Sequence, residues 1–80
     1  MHWVYIIQSR SSSHYYIGST SDIPRRLHEH NSGKNRSTRN KGPYDLVYKE
    51  KYGTKQGALV RELKIKSYKG GNAFKKLFPK

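Results

Sequence analysis

Residues 3–19 read Trp3-Val4-Tyr5-Ile6-Ile7-Gln8, then Ser9-Arg10-Ser11-Ser12-Ser13-His14, then Tyr15-Tyr16-Ile17-Gly18-Ser19. The first six residues are aromatic and β-branched almost throughout, the composition of a buried strand. The serine-rich middle is a loop, and the last five read as a second strand. A connection this short makes the two strands an antiparallel hairpin. Pairing Gln8 with Ser13 sets Tyr5 opposite Tyr16. Gly18, with no side chain, lets another backbone or a ligand come close.

The rest of the chain supplies elements to pack on the hairpin. Ser21 or Asp22 can cap a helix, and Pro24 is tolerated in its first turn. The helix should run from Ile23 to Asn31 and stop at Asn31-Ser32-Gly33. Lys34 to Pro43 lacks large apolar residues and reads as a basic loop. Asp45 to Tyr52 alternates, with Leu46, Tyr48, Glu50 and Tyr52 on one side and Val47, Lys49 and Lys51 on the other. That is the pattern of a half-exposed edge strand protected by lysines. Thr54 should cap a second helix from Lys55 to Tyr68, stopped by Gly70-Gly71. Asn72 to Leu77 adds a short helical turn. The order is ββαβα plus a short C-terminal helix. It implies an α/β-class fold of the α+β kind: a three-stranded antiparallel sheet flanked by helices, with residues 1–80 as a single domain.

Composition narrows the function. The chain has 80 residues, with 17 Lys plus Arg against 5 Asp plus Glu, a formal net charge of +12. Leu, Ile, Val and Phe make up fewer than one residue in five, which with that charge approaches the composition of disordered chains. Seven Tyr and one Trp argue for folding, since aromatics bury large areas per residue. With no Cys there is no disulfide framework and no Cys-containing zinc site. No apolar run approaches a membrane span and the start lacks a signal-peptide pattern, which together suit a cytoplasmic protein. The charge favours polyanionic partners, nucleic acid first and acidic membrane surfaces second.

Three features stand out from a plain structural reading. On the second helix, Ala58, Leu59, Leu63 and Ile65 form an apolar arc at about 100° per residue, and Glu62 lies inside it. A carboxylate facing a core is costly unless it is paired or binds a cation. Lys66, one turn on, offers a simple ion pair; a hard divalent cation is the other answer. On the first helix, Arg26 and His30 flank the apolar stripe of Ile23 and Leu27 and point together toward the sheet edge, while Arg25 and Glu29 point outward. The plain reading is an amphipathic helix with a snorkelling Arg. In the hairpin, Tyr5 and Tyr16 are either a cross-strand aromatic pair or phenols beside a phosphate, where nearby cations would favour the ionised form.

The ordered set Val4-Tyr5, Tyr16-Ile17-Gly18, Arg26, His30 and Glu62 resembles the GIY-YIG nuclease domain. Arg25 to Gly33 resembles the family's first helix. Leu59-Val60-Arg61-Glu62 with Ile65-Lys66 resembles its metal-binding helix, and Lys66 to Leu77 looks like the ending of small stand-alone bacterial members. The first motif reads Trp3-Val4-Tyr5, so its Gly and Ile are replaced and only the Tyr is kept. The resemblance implies a three-stranded antiparallel sheet with the first strand central. It implies hydrolysis of phosphodiester bonds dependent on Mg²⁺ or Mn²⁺. Glu62 would hold the metal, and Arg26 would stabilise charge on the phosphate. Tyr5 would help deprotonate the attacking water, with Tyr16 and His30 orienting it or relaying protons. Gly18 and Asn72 would support the site.

The first functional reading is therefore a metal-dependent DNA endonuclease with a place in DNA repair or recombination. Its substrate would be branched, flap or single-stranded DNA, with a protein partner or a homodimer supplying targeting, and no membrane. The DNA-binding residues would be Arg25, Lys34, Arg36, Arg39, Lys41, Lys66, Lys69 and Lys75. The alternative is a basic nucleic-acid-binding module on the same fold with little or no catalysis. A ribosome-associated basic protein explains the composition but neither Glu62 nor the Arg26–His30 spacing.

Overall fold

In the computed structural model, residues 1–33, 42–69 and 71–77 are described. Three strands, β1 (His2–Ser9), β2 (Tyr15–Thr20) and β3 (Tyr44–Tyr52), alternate with α1 (Ile23–Asn31), α2 (Lys55–Lys66) and α3 (Asn72–Lys75) in the order β1, β2, α1, β3, α2, α3. They form one antiparallel sheet in the order β2-β1-β3. The expected ββαβα arrangement stands, with β1 central and β3 at an edge.

A central strand covered on both faces needs apolar residues without alternation, which is why Val4 to Ile7 reads as an unbroken run. Val4 and Ile6 are buried on one face with Ala58, Ile65 and Phe74, beneath α2 and α3. Tyr5 and Ile7 are buried on the other with Tyr44, where Tyr16, Ile23, Leu27 and Leu46 pack against them.

The hairpin register differs from the expected one by two residues. Tyr5 stands opposite Gly18, and Tyr16 opposite Ile7. The cause is a wider loop: the Ser9 amide donates to the His14 carbonyl (2.9 Å) and the Ser13 amide to the Ser9 carbonyl (2.9 Å). Ser13 takes a positive φ of 65° to close it. Gln8 does reach Ser13, but through its side-chain amide (3.2 Å).

The β1–β3 register shifts between Ile6 and Ile7, where Tyr48 and Leu46 are the respective partners and Val47 is the extra residue. This bulge turns Leu46 to the α1 face, while Val47, Tyr48 and Tyr52 pack on the α2 face. Leu46 therefore does not share a side with Tyr48, Glu50 and Tyr52, as simple alternation suggested. Lys49 and Lys51 do lie on the side opposite Tyr48.

Both helix starts carry the expected caps. The Asp22 side chain accepts from the Arg25 amide and that of Thr54 from the Gly57 amide. The inward face of α2 is not the expected arc. Ala58 and Ile65 are fully buried, but Leu59, Val60 and Leu63 are exposed (40, 64 and 68 %). The inward stripe is Ala58, Arg61, Glu62 and Ile65, spaced as one helix face, with its two middle members charged. Asn31, at the end of α1, ties that helix to the start of β3. Its carbonyl accepts from the Tyr44 amide (2.7 Å) and its amide donates to the Tyr44 carbonyl (3.3 Å).

Candidate active site

Tyr5 projects from the central strand across β2 at Gly18. A Cβ at Gly18 would lie 2.5 Å from the Tyr5 hydroxyl oxygen, so any side chain there would push the ring away. The glycine is thus explained by the close approach of one side chain rather than of a backbone. The Tyr5 residue is 2 % exposed and its hydroxyl lies 2.9 Å from His30 Nε2. Arg26 Nε donates to the same hydroxyl (3.4 Å). Arg26 and His30 are one turn apart on α1, so the cap that starts the helix also aims both at Tyr5. The Tyr16 and Tyr44 rings complete the wall around His30, at 4.9 and 6.2 Å between centroids. The structure brings Tyr5, Tyr16, Gly18, Arg26 and His30 together, as the sequence implied.

The electrostatics correct one expectation. Burial raises the Tyr5 pKa, outweighing the hydrogen bond and charge of Arg26, which pull it down. Tyr5 is therefore a neutral phenol at rest and not the ionised form that neighbouring cations alone would favour. His30, only 1 % exposed, has its pKa lowered from 6.5, first by burial and then by Arg26. It is neutral at pH 7. Arg26 can only donate, so Tyr5 accepts from it and has its own proton free to give to His30 Nε2.

Glu29 also belongs to this site, although it was expected to point outward. Its Oε1 pairs with Arg26 and its Oε2 with Arg25, each at 3.0 Å. The i,i+3 and i,i+4 spacings carried that signal. Arg25 remains 60 % exposed at its side chain. Glu29 leaves Arg26 half-balanced, with one nitrogen on a carboxylate and another on a phenol.

Glu62 faces inward from α2 with its side chain 14 % exposed, and it pairs with Lys66 at 2.7 Å. The simple ion pair is thus real. Glu62 is also close enough for its charge to push the Tyr5 pKa higher. Among the described residues no group of three or more His, Cys, Asp or Glu forms a metal cage. A single inward carboxylate suits Mg²⁺ or Mn²⁺ only if water and substrate phosphate complete the coordination, a common arrangement for Mg²⁺. On that donor chemistry Glu62 fits the ion, once it gives up Lys66.

A second polar cluster was not expected. Glu50 of β3 receives Arg61 of α2 bidentately (2.9 and 3.1 Å), a hydrogen bond from the Tyr52 hydroxyl (2.7 Å) and another from the Tyr48 hydroxyl. Arg61 also donates to the Tyr68 hydroxyl (3.4 Å). These partners hold the Glu50 carboxyl below its ordinary pKa in spite of burial, and Glu50 raises that of Arg61. The signal was present in the chain: one of five acids, on the inward side of a strand between two tyrosines.

The expected DNA-binding cations are dispersed. Arg25, Lys66, Lys69 and Lys75 are exposed, whereas Lys34, Arg36, Arg39 and Lys41 lie outside the described residues. Asn72 is exposed at the start of α3, the helix whose Phe74 packs with Val4 and Ile6. Among the described residues no helix is long and apolar enough to cross a membrane.

A family model for the GIY-YIG catalytic domain matches residues 1–75. A UPF0213 protein of Haloquadratum walsbyi is 44 % identical over 68 residues, covering 84 % of this chain and 75 % of its own. One from Staphylococcus epidermidis is 43 % identical over 68 residues, covering 84 % and 82 %. The solution NMR structure of a UPF0213 protein from Bacillus halodurans matches at 33 % identity with a TM-score of 0.49, covering 90 % of this chain and 88 % of that one.

Proposed function

We propose, from the premise that the chain belongs to the GIY-YIG catalytic domain family, that it is a divalent-metal-dependent endonuclease hydrolysing phosphodiester bonds of DNA. The observation that carries the reading is the buried Tyr5 hydroxyl held between Arg26 and a neutral His30. Tyr5 is the group that takes a proton from the attacking water. It can do so because His30 Nε2 accepts the phenol proton and Arg26 stabilises the resulting phenolate. Arg26 also faces the phosphate and holds the negative charge that builds in the transition state. Tyr16 packs on His30 and fixes the plane of its ring. Glu62 is the residue that would hold Mg²⁺ or Mn²⁺, and the ion would supply Lewis-acid polarisation of a phosphate oxygen. Lys66 neutralises Glu62 in its absence.

The finer reading is a cytoplasmic protein acting in repair or recombination on branched, flap or single-stranded DNA. The test is cleavage of such substrates by the purified protein in Mg²⁺ or Mn²⁺. Glu62→Ala should lower the rate at least about a hundredfold, the loss seen when one electrostatic stabiliser is removed. Cleavage by that variant at the wild-type rate would sink the metal assignment. The Glu62–Lys66 pair favours one second reading, a binding module whose carboxylate is already neutralised. Under it the wild-type protein binds these substrates and cleaves none of them in either metal.

A further inference from the structure

Trp3 is the single tryptophan of the chain and sits on its central strand, yet it packs in neither hydrophobic cluster among the described residues. It lies on the same face as Tyr5, two residues along β1 or about 7 Å away. On β3, Lys51 stands opposite Trp3 and Lys49 opposite Tyr5. Both ammonium groups lie over the indole, at 5.3 Å for Lys49 and 5.9 Å for Lys51. The lysines are exposed and Trp3 is half-buried. The α1 helix covers the Tyr44 and Leu46 end of this face, where Asn31 ties it to Tyr44. The Trp3 end therefore presents a half-buried indole under two exposed cations, two residues along β1 from Tyr5 of the candidate active site.

We propose that Trp3, Lys49 and Lys51 form a stacking subsite for a single-stranded DNA segment beside the phosphate that is cut. A base would replace the lysines on the indole, and the displaced ammonium groups would take the adjacent phosphates. An aromatic ring flanked by cations is the arrangement by which single strands are held without sequence preference. A double helix keeps its bases stacked on each other and gives Trp3 no ring to meet. The charge excess of the chain supplies the long-range attraction, and these three residues supply the preference for an open strand. The proposal rests on the endonuclease reading only for the identity of the neighbouring phosphate.

Because Trp3 is the only tryptophan, its emission reports on this subsite directly. A short oligothymidine carrying a dye is titrated with the full chain in EDTA, and dye anisotropy and Trp3 emission are followed together. Emission should be quenched with the same midpoint as the anisotropy change, and a duplex of equal length should bind without that quenching. Trp3→Ala should weaken single-strand binding about tenfold, within the range of one lost stack, and Trp3→Phe should restore most of it. Lys49→Gln with Lys51→Gln should flatten the salt dependence by about 1.4, or roughly 0.7 per lost phosphate contact. The proposal is overturned if the strand binds with Trp3 emission unchanged, if duplex quenches equally, or if no single strand binds. Cleavage in Mg²⁺ separates the two readings. Quenching without cleavage removes the endonuclease and leaves the subsite, whereas cleavage with unchanged emission does the reverse.

Discussion

Two clusters of tyrosine and arginine lie on opposite faces of the sheet, and they use the same residue types in opposite ways. On the α2 face, Glu50 meets Arg61 head-on and two phenols donate to the same carboxylate. Charge is matched, every proton has a fixed owner, and two elements are locked together. On the α1 face, the Tyr5 hydroxyl meets an imidazole and a guanidinium in place of a carboxylate. A phenol made less acidic by burial shares a hydrogen bond with an imidazole made less basic by burial. Both shifts favour the neutral pair, so on this face no carboxylate fixes a charge on the phenol or the ring. What separates the brace from the candidate active site is the placement of the carboxylates, since both faces have their tyrosines and an arginine.

The contrast breaks most sharply at one residue from each cluster. Arg26→Ala should reduce DNA cleavage about 10²–10³-fold, the effect of losing one transition-state donor, while urea denaturation shifts little. Glu50→Ala should do the opposite. It strands Arg61 and two phenols and should cost about 3 kcal/mol in urea unfolding, with cleavage per folded molecule retained. Equal losses of stability in the two variants would erase the distinction.

Gly18→Ala sharpens the comparison from the side of geometry. Its Cβ would meet the Tyr5 hydroxyl at 2.5 Å. The ring must shift from His30, so cleavage should fall by more than about tenfold while the α2-face cluster stays intact, as seen by retained near-ultraviolet signals of Tyr48 and Tyr52.

A smaller, pH-dependent effect distinguishes the faces by its pH window. His30 has a folded pKa below its ordinary 6.5, so the unfolded chain binds its proton more readily. Its contribution to stability is present above 6.5 and declines as pH falls through that value toward the folded one. Glu50, with a folded pKa below 4.5, begins to lose its contribution only at more acid pH. Urea midpoints from pH 7.5 to 5 should therefore fall in the wild type and flatten in His30→Gln. A flat wild-type profile would deny His30 its buried, neutral state. Smallest of all, Thr54→Ala should cost about 1 kcal/mol by removing the α2 cap, with no preference for either face.

Much of this architecture is written in local signals. The strand run Val4–Ile7, the caps at Asp22 and Thr54 and the span of α1 all come from residue type and spacing. So does the convergence of Arg26 and His30, because one helical turn forces it. The features that were not legible depend on partners distant in sequence or on backbone choices that residue type does not announce. The hairpin register turns on a positive φ at Ser13, a residue that gives no glycine-like warning. The bulge at Val47 changes the face of Leu46 without altering the alternating pattern. On α2, apolarity pointed to Leu59 and Leu63, but Arg61 takes an inward position because Glu50 waits for it on β3. Counting cations near Tyr5 suggested an ionised phenol, and desolvation reversed that sign.

The two hydrogen bonds between the Asn31 side chain and Tyr44 have a consequence for how such a protein could be altered. An amide side chain there imitates one rung of a backbone ladder and clasps the end of a helix to the start of a strand. Arg26 and His30 ride on that helix, so the clasp also helps hold them against Tyr5. For an engineer the exposed face of the same helix, Arg25 and His28 included, is open to rewriting while Tyr5, Arg26 and His30 stay in place.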